Sequence, residues 1–244
     1  MKKAIIIPVC ILFLTFNAWA QESYLGFSLG TSLPRGDFAS AESLFDDAYA
    51  IPGFTVNFEG YYFPVQFIGI GGVLGFGSLY AENDNYLDHL LEYAWTQNEI
   101  PVFGSQPLAD DVIFESGFWN YVNLMIGPEI SVPFGRFQAG IHGLAGLTMA
   151  FYPKRELFYE EGSNTIETST KGPSAAFAYS YGASLLYKSR SGTGLKLSAD
   201  YLSSGASYDF KMDVISSTNE YSLTRSEDID LEALSICVGF FYIF

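Results

Sequence analysis

The sequence predicts an all-β protein: an eight-stranded antiparallel up-and-down transmembrane β-barrel, with long loops at one end and short turns at the other. Three observations lead there. Large apolar residues recur with a period of two in eight separate segments, which is the spacing of one strand face. The connections between segments alternate between tight turns and long loops. The chain is 49% hydrophobic and 17% aromatic. Beyond its first stretch, however, it has no run near the roughly 20 apolar residues of a membrane helix. Apolarity spread over alternating strands accounts for both facts.

In chain order, Met1-Lys2-Lys3 is a short basic segment, Ala4 to Phe16 an apolar core, and Ala18-Trp19-Ala20 a small-x-small cleavage site. Residues 1–20 therefore read as a secretory signal peptide and 21–244 as the barrel domain. Cys10 falls in the apolar core, so the mature chain keeps one cysteine, Cys237. An exported protein is allowed a disulfide, but a single cysteine cannot form one internally. Cys237 reads as a small inward filler.

The eight alternating segments are approximately 22–32, 53–63, 67–80, 118–131, 137–151, 175–188, 194–208 and 230–244. Each is long enough for the roughly 9–11 residues of a tilted membrane strand. In the second, Phe54, Val56, Phe58 and Tyr62 share one face, and Thr55, Asn57, Glu59 and Tyr61 the other. In the fourth, Val122, Leu124, Ile126 and Ile130 oppose Asn123, Gly127 and Glu129. In the sixth, Phe177, Tyr179, Tyr181, Leu185 and Tyr187 oppose Ser180, Gly182, Ser184 and Lys188. In the seventh, Leu195, Leu197, Ala199 and Tyr201 oppose Lys196, Ser198 and Asp200. In the last, Leu234, Ile236, Val238, Phe240 and Tyr242 oppose Ser235, Cys237 and Gly239.

Tight turns are expected at Phe63-Pro64-Val65-Gln66, Pro133-Phe134-Gly135-Arg136 and Ser189-Arg190-Ser191-Gly192. Long loops are expected near 33–52, 81–117, 152–174 and 209–229. An even strand number puts both termini at the short-turn end. In the second long loop, Tyr86, Leu87, Leu90, Leu91, Ala94 and Trp95 fall at helical spacing after Asn83-Asp84-Asn85, which can cap a helix start. Four placements of this amphipathic helix stay open: on the membrane surface, across the barrel mouth, against a partner, or packed on its own loop. Tyr208 to Met212 and Glu220 to Leu223 flank Ser217-Thr218-Asn219 and can extend the last hairpin beyond the membrane.

The formal net charge is −15, or −17 without Lys2 and Lys3. Such a chain lacks the cationic surface that nucleic-acid binding needs. Residues 33–52, 81–117, 152–174 and 209–230 carry 22 acidic and six basic side chains, whereas the short turns and their flanks carry Arg136, Lys188 and Arg190. The acidic rim reads either as loop solvation or as a surface recruiting divalent cations or a cationic protein partner.

Eight strands enclose an interior just wide enough for side chains to fill. The inward set contains a polar network of Asn57, Glu59, Glu129, Gln138, His142, Lys196 and Asp200, with Tyr61, Thr148 and Ser198 nearby. Buried charges must be paired, so Lys196 is expected to neutralise one or more of Glu59, Glu129 and Asp200. Such a lumen is plugged rather than widely open. Gly69, Gly71, Gly75 and Gly77 share one face of the third strand and leave room for inward groups such as Tyr24, Tyr61, Tyr121 or Phe241. Gly69 to Gly75 comes close to a dinucleotide fingerprint, but no helix pattern follows it, so no nucleotide is expected.

His89 and His142 are the only histidines. His142 has no Ser or Asp at a persuasive local spacing; His89, with Asp88 and Glu92, reads as a solvated helix face rather than a metal site; and no zinc, P-loop or nucleophile-elbow motif occurs. The reading is therefore not an enzyme, with no catalytic, metal or cofactor site.

Two stretches carry a family resemblance: Tyr24-Leu25-Gly26-Phe27-Ser28-Leu29-Gly30 running into Pro34-Arg35-Gly36-Asp37-Phe38, and the terminal Gly239-Phe240-Phe241-Tyr242-Ile243-Phe244. Through them the chain resembles the small porin-like outer-membrane β-barrel domain family. The resemblance covers the mature chain. It implies a Gram-negative bacterial outer-membrane location, contact with outer-membrane lipid, and short turns on the periplasmic side. It further implies that Phe240, Tyr242 and Phe244 form the signal read by the barrel-assembly machinery. It implies no activity, because sites rather than folds carry function. The expected function is a non-enzymatic barrel that anchors acidic extracellular loops for surface interaction or envelope integrity. A narrow cation-preferring diffusion channel is the alternative. A lipid-modifying enzyme, which would need His89 or His142, is a distant third. A closed barrel leaves no sheet edge that demands a neighbour, so a monomer is expected.

Overall fold

The computed structural model describes residues 22–42, 47–97, 112–159, 164–170, 172–215 and 220–244. The signal peptide read at 1–20 lies outside them, as do Ser217 to Asn219.

Eight long strands close into a ring: β1 (Tyr24–Pro34), β2 (Ala50–Val65), β3 (Ile68–Ala81), β5 (Phe118–Phe134), β6 (Phe137–Phe151), β9 (Ser174–Lys188), β10 (Thr193–Ile215) and β11 (Glu220–Ile243). All neighbours are antiparallel, and the first strand closes on the last from Tyr24↔Ile243 to Pro34↔Ala233. Closure satisfies the backbone of the ring without an open edge, which a strand structure in hydrocarbon requires. The outward faces are the apolar ones read from the sequence. Phe58, Leu124, Phe177, Leu195 and Phe240 are all exposed, each beside buried inward neighbours. Exposed hydrocarbon around a closed ring, with polar groups inside, is the inverse of a soluble barrel and makes this a membrane barrel.

The upper boundary of that belt is legible on β11. Its outward residues run Tyr242, Phe240, Val238, Ile236 and Leu234, then change to Glu232, Asp230 and Asp228. Beyond this change the strands continue. β10 and β11 are 23 and 24 residues long, more than twice what a crossing needs.

Three shorter strands were not expected: β4 (Val112–Ser116), β7 (Arg155–Tyr159) and β8 (Asn164–Thr170). β8 pairs with Phe210 to Ile215 of β10, then with β7, which pairs with β4. The flanks of segment 209–229 extend the last hairpin as expected, pairing up to Ile215↔Glu220. Segment 152–174, read as a long loop, supplies β7 and β8, which with β4 continue the same sheet from β10. The first tight turn also moves. Strand β2 runs through Phe63-Pro64-Val65, and the turn is Gln66-Phe67, with Phe67 at a φ of 71°. The helix read at 81–117 is α1 (Asp84–Gln97).

Candidate functional site

Two buried assemblies are candidates, one in the barrel and one at its long-loop mouth. Inside the barrel, period two turns Glu59 and Tyr61 of β2 inward, and closure brings them opposite β10 and β1. The Lys196 ammonium donates to Glu59 Oε2 at 2.6 Å and to the Tyr24 hydroxyl at 3.3 Å. Tyr24 in turn donates to Glu129 Oε2 at 2.5 Å, and Ser28 donates to Glu59 Oε1 at 3.3 Å. Glu59, Glu129 and Lys196 are nearly inaccessible. The Lys196 ammonium lies 5.0 to 5.3 Å from the ring centres of Tyr24, Tyr61 and Phe241, which close the apolar side. One cation thus holds Glu59 directly and Glu129 through a phenol.

Asp200 joins a different partner. Its Oδ1 lies 2.7 Å from His142 Nε2, and its Oδ2 accepts from Ser198 at 2.8 Å. Serine and histidine meet the same carboxylate rather than each other, so this trio is not a nucleophile and its base. Asn57 donates to the buried Cys237 sulfur at 3.7 Å. Gln138 is buried toward the short-turn end and joins none of these bonds among the described residues. Asn57, Asn123, His142, Ser180 and Asp200 surround a cavity of about 40 Å³.

Glycine makes this packing fit. Tyr61 lies against Gly71 and Tyr121 against Gly77, so a β-carbon at either glycine would collide with a ring. Phe63 covers Gly69, and Asn57 and Asn123 share the space over Gly75. Phe241, expected over the same strand, instead sits against Gly26 and Gly239.

At the mouth the cation is Arg155, the first residue of β7. Its guanidinium lies 3.7 Å from the Tyr86 ring centre of α1, 5.0 Å from that of Tyr152 and 6.0 Å from that of Tyr49. It donates to the Tyr152 hydroxyl at 2.5 Å and to the Ala48 carbonyl at 3.4 Å. The Trp119 indole donates to the same carbonyl at 2.9 Å. Burial alone would weaken the charge, but the surrounding Tyr152, Tyr86 and Tyr49 outweigh it and hold Arg155 protonated. Among the described residues no carboxylate pairs with it.

Tyr86, Leu87, Leu90 and Leu91 of the helix are buried. Tyr86 meets Tyr49 edge-on at 5.2 Å and stacks on Phe114 of β4 at 5.7 Å. The described part of its apolar face therefore packs within the chain, Tyr86 against Tyr49 and against β4. The Trp95 side chain lies outside the described residues. Burial, then the nearby Asp47, pushes Tyr49 up from the ordinary 10.0 to about 12. It thus keeps its proton at neutral pH, and its hydroxyl shares a hydrogen bond of 2.6 Å with His89 Nδ1.

Phe240, Tyr242 and Phe244, read as the assembly signal, are exposed on the lipid side of the closing strand. The sequence reading did not find Arg155. Its signal was the alternation of Arg155, Leu157 and Tyr159, masked by the surrounding acidic residues.

No protein-family model matches the chain, and no curated protein matches it. Several solved structures are similar in fold. The outer membrane protein OprG from Pseudomonas aeruginosa is 11% identical, with a TM-score of 0.49, over 93% of this chain and 97% of that one. A major outer membrane protein from Thermus thermophilus is 12% identical, with a TM-score of 0.44, over 90% and 99%. Ail, the attachment invasion locus protein of Yersinia pestis, is 12% identical, with a TM-score of 0.38, over 91% and 97%.

Proposed function

We propose that this eight-stranded outer-membrane β-barrel is a sealed, non-enzymatic anchor that holds an acidic β-sheet outside the membrane for surface interaction. One observation carries the reading: the chain fills its own lumen and invests its extra length above the belt. The lumen cavity at the polar network is about 40 Å³, room for a few waters and no larger solute. Conduction needs a continuous wet path, and here Tyr24, Tyr61, Phe63 and Phe241 close the short-turn side. Above the belt, β10 and β11 rise together to Ile215↔Glu220 and carry β8, β7 and β4 on one side. Side chains presented by a rigid scaffold suit recognition better than free loops do. The acidic surface favours a cationic partner or one bridged by divalent cations, and attraction of that kind weakens with salt.

The test shortens the last hairpin, joining Tyr208 to Ile229 by a tight turn while leaving the belt intact. Bacteria displaying the full chain are expected to attach to a cationic protein-coated surface, and to lose attachment with the shortened hairpin. Equal attachment by both, with both barrels folded, would contradict the reading.

A further inference from the structure

On the lipid-facing wall there is a groove of about 690 Å³, within the roughly 300–1,000 Å³ of ligand pockets. The registers explain it. Along one line of cross-strand partners the outward positions are Leu25, Gly60, Gly72, Ile126 and Ala145 on five successive strands. Large residues rim that line. Phe58, Leu74, Leu124 and Leu147 stand on the long-loop side, and Tyr62 and Ile70 on the short-turn side. The wall is hollow over Gly60 and Gly72 and convex around them.

We infer that this groove seats one acyl chain of a membrane phospholipid, on the half of the barrel nearer the short turns. Three features select that occupant. The groove is continuous with the lipid-facing belt, so its contents come from the bilayer. Its lining is mostly apolar, with the Tyr62 hydroxyl and the chain end at Phe244 on the short-turn side, which suits a methylene chain better than a headgroup. A second copy fits badly, because a two-fold contact places the same patch against itself, and hollow against hollow leaves a void that costs packing. A tail lying over Gly60 and Gly72 touches backbone directly, gaining contacts that a moving annular lipid does not keep. Gly60 sits between Glu59 and Tyr61, so the seated chain also backs the stretch of wall that carries the buried ion pair.

The experiment is native mass spectrometry of the refolded mature chain, loaded with phosphatidylglycerol and stripped stepwise with detergent. Three variants are compared with the wild type. Ala145→Phe fills the groove, Ala199→Phe adds the same ring to an exposed alanine on β10 outside it, and Gly60→Ala raises its floor. The last is mild, because the added carbon meets the flexible tip of Leu25 at 2.7 Å and the Tyr24 carbonyl at 3.4 Å. Heat-modifiable migration confirms folding in each case. One retained lipid is expected in the wild type and in Ala199→Phe, reduced retention in Gly60→Ala, and none in Ala145→Phe. Should Ala145→Phe not refold, the contrast between Gly60→Ala and Ala199→Phe decides. Equal retention in groove and control variants would overturn the inference, as would a dimer that the groove variants abolish.

Discussion

Among the described residues, two buried cations are held in opposite ways. Lys196, in the membrane belt, is held by the Glu59 carboxylate and by a phenol bonded to Glu129. Arg155, at the mouth, is held by tyrosine faces, a hydroxyl and a carbonyl. The difference is one of cost on opening. Separating Lys196 from Glu59 leaves two bare charges in a poorly hydrated lumen. Lifting Arg155 from its rings leaves neutral rings and a guanidinium that water can solvate. On the proposed reading the lumen is the lasting seal, and the mouth is a cap that can loosen while the barrel stays closed.

The largest expected effect breaks the first arrangement. Lys196→Met leaves Glu59 buried and unpaired, which costs about 3–5 kcal/mol. It is measured as the shift in urea unfolding of the refolded barrel. Adding Glu59→Gln is expected to restore part of that loss, because it removes the carboxylate that Lys196 held directly, while Glu129, held through Tyr24, stays without its cation. A double variant no better than Lys196→Met would show that the cost is packing rather than charge.

Next comes Arg155→Met, which keeps apolar bulk and removes the cation. A desolvated cation–π contact contributes about 2 kcal/mol. Hydrogen exchange in α1 is expected to rise while exchange in β1, β2 and β11 stays unchanged. Faster exchange throughout the barrel would mean that the cap and the lumen unfold as one unit.

The smallest effect sharpens the contrast by pH. Tyr49 is raised from 10.0 to about 12 by burial and by Asp47. A raised folded value means that its contribution is fully present below about pH 10 and is lost as pH rises through about 12. Proteolysis of the cap is therefore expected to accelerate across that window. Tyr49→Phe is expected to remove this dependence for about 1 kcal/mol, the value of the bond to His89.

The sequence and the structure agree most closely where solvent alone decides. Phe54, Val56 and Phe58 against Thr55, Asn57 and Glu59 is a pattern set by lipid on one side and a polar lumen on the other, so it can be read locally. The helix was legible for the same reason, since Tyr86, Leu87, Leu90 and Leu91 share one side. Pairing was not. Lys196 meets Glu59 across 137 residues, and that meeting depends on the stagger of the closed ring, which no local pattern records. The division of the carboxylates, Glu129 to Tyr24 and Asp200 to His142, has the same origin. The short strands β4, β7 and β8 were missed because they pair in series, β8 on the outgrown hairpin, β7 on β8 and β4 on β7, and pairing between distant segments is a tertiary fact. Yet Thr165, Ile166, Glu167, Thr168, Ser169 and Thr170 did carry the β-branched composition of a strand.

The central claim is that the lumen, and not the cap, seals this barrel. Planar-bilayer conductance of the refolded mature chain, measured beside Arg155→Met, tests it most directly. Silence from both proteins, with folding shown by heat-modifiable migration, is the predicted result. Reproducible steps from the wild type, or their appearance when Arg155 alone is replaced, would contradict the account and make the mouth a gate.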